Sequence, residues 1–235
     1  MRLHSATVAL LLALAGCGGG ATTSDIPSGG SSSSSSAATA TTPTTEATPA
    51  APAGCSAVPK PKPKPAGNLK KPALELDASK TYTAVVKTNC GTFAFKLDVK
   101  DAPHASASLD YLAGKKFFDG TVFHRIVPGF VIQGGDPTGS GSGGPGYSTV
   151  DKPPAGTKYT KGVVAMAKTG SEPAGTAGSQ FFVVTGADAG LPADYAVVGQ
   201  ITKGMDVVQR IGKLGDQSEQ PTSTVVIQRF RVGPG

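Results

Sequence analysis

Phe123-His124-Arg125-Ile126-Val127-Pro128-Gly129-Phe130-Val131-Ile132-Gln133-Gly134-Gly135-Asp136 is the stretch on which the reading of this chain turns. It sets one permanently charged, planar guanidinium among apolar and aromatic residues and follows it with an amide and two glycines. Further on, Gly178-Ser179-Gln180-Phe181-Phe182-Val183-Val184 adds a second amide and an aromatic pair. Phe181 and Phe182 are neighbours on a run of strand formers, so their side chains point to opposite faces and only one can line a surface pocket. The first block presents no nucleophile.

Working outward, Thr81–Thr88 is rich in strand formers, Asn89-Cys90-Gly91 has turn chemistry, and Phe93, Phe95 and Leu97 alternate with Ala94 and Lys96. That pattern predicts an antiparallel hairpin with one buried face. Asp101-Ala102-Pro103 predicts a helix start, with an acid near its positive end, and Gly114 its stop. Met205–Ile211 predicts a second, short helix. Further strands are expected in 121–123, 130–133, 162–167, 180–185, 196–201 and 224–232. Many short strands and two helices point to an all-β sandwich or barrel. Gly139-Ser140-Gly141-Ser142-Gly143-Gly144 fits a dinucleotide-loop pattern, but Pro145-Gly146 follows it instead of a helix, so it reads as a surface turn. Gly170–Gly178 reads as a loop.

Together the two blocks resemble the signature of the cyclophilins, the peptidyl-prolyl cis-trans isomerases, over about residues 80–232. The resemblance implies a closed antiparallel eight-stranded barrel capped by two α-helices, in a domain spanning 80–235. It implies isomerisation of X–Pro bonds without a covalent intermediate and without cofactor or metal. Rotation about a peptide bond faces a barrier of ~18–20 kcal/mol, and a 10⁵-fold acceleration asks for roughly 7 kcal/mol. What helps is a donor aimed at the prolyl nitrogen as its lone pair localises, an apolar slot for the ring and an anchor for the neighbouring carbonyl.

Residue by residue, the resemblance makes Arg125 the catalytic donor; standing alone, such an arginine would read as an ion-pair partner. Phe130, Val131, Phe182 and Leu191 match the proline pocket, though singly each would read as core. Gln133 and Gln180 match amides that bind substrate backbone or hold the arginine. Ala167 matches a groove that takes the peptide as an added strand. The chain departs from the family pattern at Val131, where Met is common, at Lys168, where Asn often contacts substrate, and at Tyr195, often His. The Trp that many members use to contact cyclosporin falls near Gly190. His124 reads as structural, because this chemistry needs no proton transfer. A non-catalytic proline-peptide module or chaperone on the same scaffold is the alternative; the set Arg125, Phe130, Gln133, Gln180 and Phe182 favours the enzyme.

Ahead of this domain, Arg2 and the apolar run Ala6–Ala15 form a targeting segment over 1–17, too short to span a bilayer. It ends in Leu14-Ala15-Gly16-Cys17, which resembles a bacterial lipobox, with Cys17 the lipidated residue; the alternative is an ordinary cleaved signal peptide. Residues 18–79 read as a disordered Ser/Thr/Pro/Lys-rich linker, and Pro59-Lys60-Pro61-Lys62-Pro63-Lys64-Pro65 as an extended polyproline rod. The protein is thus expected to be exported and held on the outer face of the cell membrane as a monomer. Cys55 and Cys90 remain, either as a disulfide, which persists outside the cytoplasm, or as two free thiols. The net charge of +6 is spread thinly, with 16 basic and 12 acidic residues in 80–235 and no basic run there. Nucleic-acid binding is not indicated. The histidines, His4, His104 and His124, form no metal-ligand spacing.

Overall fold

Alternation builds the first hairpin. In β1 (Tyr82–Thr88) and β2 (Gly91–Leu97), Ala84 lies opposite Phe95 and Val86 opposite Phe93, and all four are buried. A computed structural model describes residues 51–73 and 75–235. The targeting segment 1–17 with Cys17, and the first part of the linker, lie outside the described residues.

Beyond the hairpin come α1 (Pro103–Gly114), β3 (Thr121–Val122), β4 (Arg125–Val127), β5 (Val131–Gly134), β6 (Thr149–Val150), β7 (Val163–Met166), β8 (Thr176–Ala177), β9 (Phe181–Val184), β10 (Val197–Lys203), α2 (Met205–Gly212) and β11 (Val226–Pro234). Nine strands form one antiparallel sheet in the order β3-β11-β1-β2-β10-β7-β9-β5-β4, and β6 pairs with β8 in a separate ribbon. Short strands 4, 6 and 8 carry no readable alternation, and β8 falls inside the stretch expected to be a loop.

The expected closed eight-stranded barrel is corrected by this topology: the sheet is a strongly curled half-barrel whose end strands, β3 and β4, do not pair. Only Phe123 and His124 separate them along the chain. The outer edge of β4 is taken by a loop instead, with the Ile126 N–H donating to the Glu219 carbonyl at 3.0 Å.

Within the curl, Phe118, Phe123, Phe181 and Phe230 pack together around Phe181, whose ring centroid lies 6.1 Å from Phe118, 6.1 Å from Phe123 and 5.8 Å from Phe230. Such offset and edge-on pairs each contribute about 0.5–1.5 kcal/mol beyond area burial. The first helix starts at Pro103 as expected, but its first turn holds no acid. Buried Asp151 supplies the charge from a distance, accepting from the Ala105 N–H at 2.6 Å and contacting His104 Nδ1 at 2.6 Å. A carboxylate there answers the unpaired N–H groups and the helix dipole.

Part of the segment expected as free linker also departs from that reading. Cys55 is bonded to Cys90 in the β1–β2 turn, and Ser56 N–H donates to Asn89 O at 2.8 Å. From there the chain stays on the domain surface, where the N–H groups of Lys64, Gly67 and Leu69 donate to Pro137 O, Gly144 O and Pro145 O. Backbone donors that find carbonyls at these intervals hold an extended chain in place without a hydrophobic face of its own.

Candidate active site

Strand register brings the two sequence blocks into one row. Arg125 on β4 lies opposite Gln133 on β5, Gln133 opposite Phe182 on β9, and Phe182 opposite Ala165 on β7. Residues in such a row share one face of the sheet. It is the outer face: Phe181 points into the core, whereas Phe182 joins a second apolar cluster with Val131, Tyr159, Val163, Ala165 and Val184.

On this cluster stands a cavity of about 270 Å³. Arg125, Phe130, Val131, Gln133 and Ala167 line it, with Lys168, Phe182, Leu191 and Tyr195. Of the expected site residues on the domain, Gln180 alone sits apart, in an adjoining cavity of about 360 Å³ that shares Gln133, Ala167 and Lys168 with the first. Phe182 and Tyr195 meet edge to face at 5.5 Å, and the Val127–Phe130 turn, closed by the Phe130 N–H to Val127 O bond, sets the opposite wall.

A polar chain orients the guanidinium. Arg125 Nε donates to Glu219 Oε2 at 2.6 Å, and Nη1 reaches Gln133 Oε1 at 3.4 Å. Gln133 Nε2 donates to Gln180 Oε1 at 3.0 Å, and Gln180 Nε2 to the carbonyls of Gly141 and Gly143, each at 2.9 Å. Among the described residues Nη2 of Arg125 has no hydrogen-bond partner. The guanidinium carbon lies 5.9 Å from the centroid of the Phe130 ring, a cation–π approach. The hydrogen bond from Arg125 holds the Glu219 carboxyl below its usual range.

Beneath the glycine-rich turn, Asp136 is fully buried. It accepts from Thr138 N–H at 2.7 Å, Gly141 N–H at 2.6 Å and Gly143 N–H at 3.2 Å. Burial alone would raise its pKa, but the donors of Thr138, Gly143 and Gly141 outweigh that and hold it below the ordinary aspartate value. The turn is therefore part of the site's frame. His124 has both ring nitrogens buried without a partner among the described residues, and burial lowers its pKa against the pull of Asp136.

Lys168 lines both cavities, yet its ammonium is committed elsewhere. Its side chain is only 4% exposed and pairs with Asp194 at 3.4 Å. It also donates to Glu172 O at 3.1 Å and lies 5.5 Å from the Tyr195 ring centroid. The N–H of Ala167 is taken by Gln180 O at 2.9 Å. Among the described residues no group of three His, Cys, Asp or Glu is placed to hold a metal ion.

Three contributors escaped the sequence reading. Glu219 and Tyr159 carried no signal, because each reaches the site only through long-range folding. Asp136 carried one: Asp-Pro-Thr is an Asx-turn sequence, and the carboxylate caps the Thr138 N–H in that manner.

The arrangement defines a class: an apolar slot beside a fixed cation held by a polar chain, suited to electrostatic stabilisation of a bound group. The model of the family described as cyclophilin type peptidyl-prolyl cis-trans isomerase/CLD matches residues 83–232. A peptidyl-prolyl cis-trans isomerase-like 1 of Neurospora crassa is 39% identical over 152 residues, covering 63% of this chain and 91% of that protein. Peptidyl-prolyl cis-trans isomerase A of Mycobacterium tuberculosis is 37% identical over 171 residues, covering 65% and 92%. Among solved structures, a cyclophilin type isomerase of Cryptosporidium parvum superposes with a TM-score of 0.61 at 29% identity, covering 66% of this chain and 99% of that one. The same protein, solved in the presence of the dipeptide Ala-Pro, gives a TM-score of 0.60. The chain belongs to the cyclophilin-type peptidyl-prolyl cis-trans isomerases.

Proposed function

We propose that the protein isomerises X–Pro bonds of exported polypeptides from a lipid tether at Cys17. The observation that carries the catalytic part is the Arg125 guanidinium, held by Glu219 on one side and Gln133 on the other, with Nη2 unpartnered among the described residues at the mouth of an apolar slot. A proline ring enters the slot between Phe130, Val131, Phe182 and Leu191. Gln133 anchors the carbonyl preceding it, and Ala167, whose N–H is already bonded to Gln180 O, receives a donor of the adjoining backbone at its carbonyl. As the C–N bond twists, the prolyl nitrogen regains its lone pair and becomes an acceptor, and Arg125 donates to it. Resonance is then weakened in the transition state without any bond being broken. Proline-peptide binding is supported by the Cryptosporidium relative studied with Ala-Pro.

Export is supported by the composition of residues 1–17, and a tether by the Ser/Thr/Pro-rich segment that follows. The Cys55–Cys90 bond fits an oxidising compartment. The clients are then newly exported chains, whose X–Pro bonds exchange in tens to hundreds of seconds or so unaided, and the protein serves them as a monomer.

A prolyl test peptide assayed with the parent protein and with Arg125→Ala decides the mechanism. The expected result is a loss of roughly 10²-fold or more in kcat/KM. Unchanged turnover in the variant overturns Arg125 as donor, and no turnover in the parent leaves a binding module. Mass analysis of the mature N-terminus tests the tether: an unmodified Cys17, or its absence, removes the lipid anchor.

A further inference from the structure

We propose that residues 55–69 are a brace that sets the shape of the substrate groove, which makes this segment a working part of the isomerase rather than a spacer. The proposal rests on the isomerase reading. The brace lies wholly outside the residues that match the family, 83–232.

It is fixed at its start by the Cys55–Cys90 bond and by two hydrogen bonds between Ser56 and Asn89, both at 2.8 Å. Further along, the ammonium of Lys64 is received by the carbonyls of Phe117 and Asp119. Beyond that latch, the N–H groups of Lys64, Gly67 and Leu69 donate to Pro137 O, Gly144 O and Pro145 O at 2.9, 2.8 and 2.9 Å. All three acceptors belong to one loop, 137–146.

The contact is tight enough to require glycine on both sides. A Cβ on Gly67 would sit 2.7 Å from Pro145 O, and a Cβ on Gly146, whose φ is +96°, would sit 2.7 Å from Gly67 O. Two backbones meet with no side chain between them.

That loop is the wall of the larger cavity, and its Gly141 and Gly143 carbonyls hold the Gln180 amide. Gln180 holds Gln133, and Gln133 contacts Arg125. With glycine at 139, 141, 143, 144 and 146, the loop has little stiffness of its own. Its conformation comes from Asp136 on the inside and from the brace on the outside. Loosening the brace therefore frees the wall and Gln180, while the proline slot, built on the sheet, stays as it is. Lys64, Gly67 and Leu69, which bond the loop, act through it and are positioning residues.

The test uses the full chain, with Gly67→Val to push the brace off the loop, Cys55→Ser to release its start, and Lys62→Ala, an exposed brace residue, as control. Kinetics are measured on two prolyl peptides, one that fills only the proline slot and one long enough to lie over the adjoining cavity. The expected result is that Gly67→Val raises KM for the long peptide by about 3- to 10-fold, the loss of one or two hydrogen bonds. KM for the short peptide and kcat for both stay within about twofold. Cys55→Ser shifts the same KM in the same direction by less, and Lys62→Ala does nothing. Amide exchange at 141–146 accelerates in both shifted variants. Equal effects on the two peptides, or an unchanged long-peptide KM in both variants, overturn the brace. A parent protein without turnover on either peptide overturns the isomerase reading instead, and amide exchange at 141–146 in Gly67→Val still decides whether the contact orders the loop.

Discussion

Arg125 and Glu219 meet at 2.6 Å between Nε and Oε2 although 94 residues separate them. The loop that delivers Glu219 is pinned to β4 by the Ile126 N–H to Glu219 O bond, and its backbone is left-handed at Glu219, with φ of 64°. A non-glycine residue held in that conformation needs support from its surroundings. Asp216 gives it by accepting from Ser218 N–H at 2.8 Å and Gln220 N–H at 2.9 Å.

Removing that carboxylate loosens the guanidinium without removing it. Because Glu219 is half exposed, Glu219→Ala is expected to lower kcat/KM by only about 3- to 10-fold. The sign of the pH effect follows from the lowered pKa of Glu219. The pairing is fully present above the ordinary glutamate range and is lost as pH falls through the lower value of the folded protein. The acid limb of the pH profile of kcat/KM is therefore expected to move in Glu219→Gln, whose amide does not titrate. An identical acid limb in parent and variant rules Glu219 out as its source.

Asp136 predicts a different outcome, in stability. It is buried and accepts from the N–H groups of Thr138, Gly141 and Gly143. Asp136→Ala leaves those donors facing a gap, at a cost of about 2–4 kcal/mol read by urea unfolding. Its folded pKa is depressed, so its contribution is present above the ordinary aspartate range and lost as pH falls through the folded value. Asp136→Asn is expected to flatten that acid loss. Gln180 depends on the same turn, so kcat/KM should fall in both variants at neutral pH. A variant with parental stability would show that the turn holds itself.

Residues that are close in sequence, or that repeat with strand period, were legible before any coordinates. The β1–β2 hairpin follows from alternation at Phe93, Phe95 and Leu97, and the split of Phe181 and Phe182 between two faces follows from strand geometry alone. What was not legible depends on partners brought from far away. Glu219 lies in a polar loop with nothing to mark it, and Tyr159 is a lone aromatic. Asp151 caps α1 across 46 residues, where the nearby Asp101 was the local candidate. The open end of the sheet also depends on such a partner, because loop 215–221 covers the edge of β4 in place of a pairing strand. The Pro-Lys rod was read from its stiffness, but the carbonyls it pairs with belong to another part of the chain.

The cap on α1 can be tested by itself. Asp151→Ala removes the acceptor of the Ala105 N–H and the partner of His104 Nδ1. A lost N-cap costs about 0.5–2 kcal/mol. Asp151→Asn keeps one acceptor and should cost less, whereas Asp101→Ala should cost nothing measurable. Thermal unfolding of the three variants checks the order, and equal losses at positions 101 and 151 would contradict this assignment.

The pocket wall rests on one hydroxyl. Tyr159 is fully buried, donates to Tyr195 O at 2.7 Å and accepts from Tyr195 N–H at 2.9 Å. Its ring lies 6.3 Å from Phe182 and 5.9 Å from Tyr195. Burial raises its pKa, so the hydroxyl keeps its proton and its donor role through neutral pH. Tyr159→Phe keeps the ring and leaves the N–H and carbonyl of the half-buried Tyr195 without this partner, at a cost of about 1–3 kcal/mol. Phe182→Ala removes the ring itself and is expected to cost about 3–5 kcal/mol, the range for a large buried aromatic. The two should differ in kinetics as well. Tyr159→Phe leaves Arg125 and Gln133 in place and lets the Tyr195 side of the slot relax, so KM for a prolyl peptide should rise while kcat changes little. Phe182→Ala opens the floor of the slot beside Gln133, so KM and kcat should both suffer. A Tyr159→Phe enzyme with parental KM would mean that Tyr195 is held by its packing against Phe182 and Lys168, and that the hydroxyl serves the fold alone.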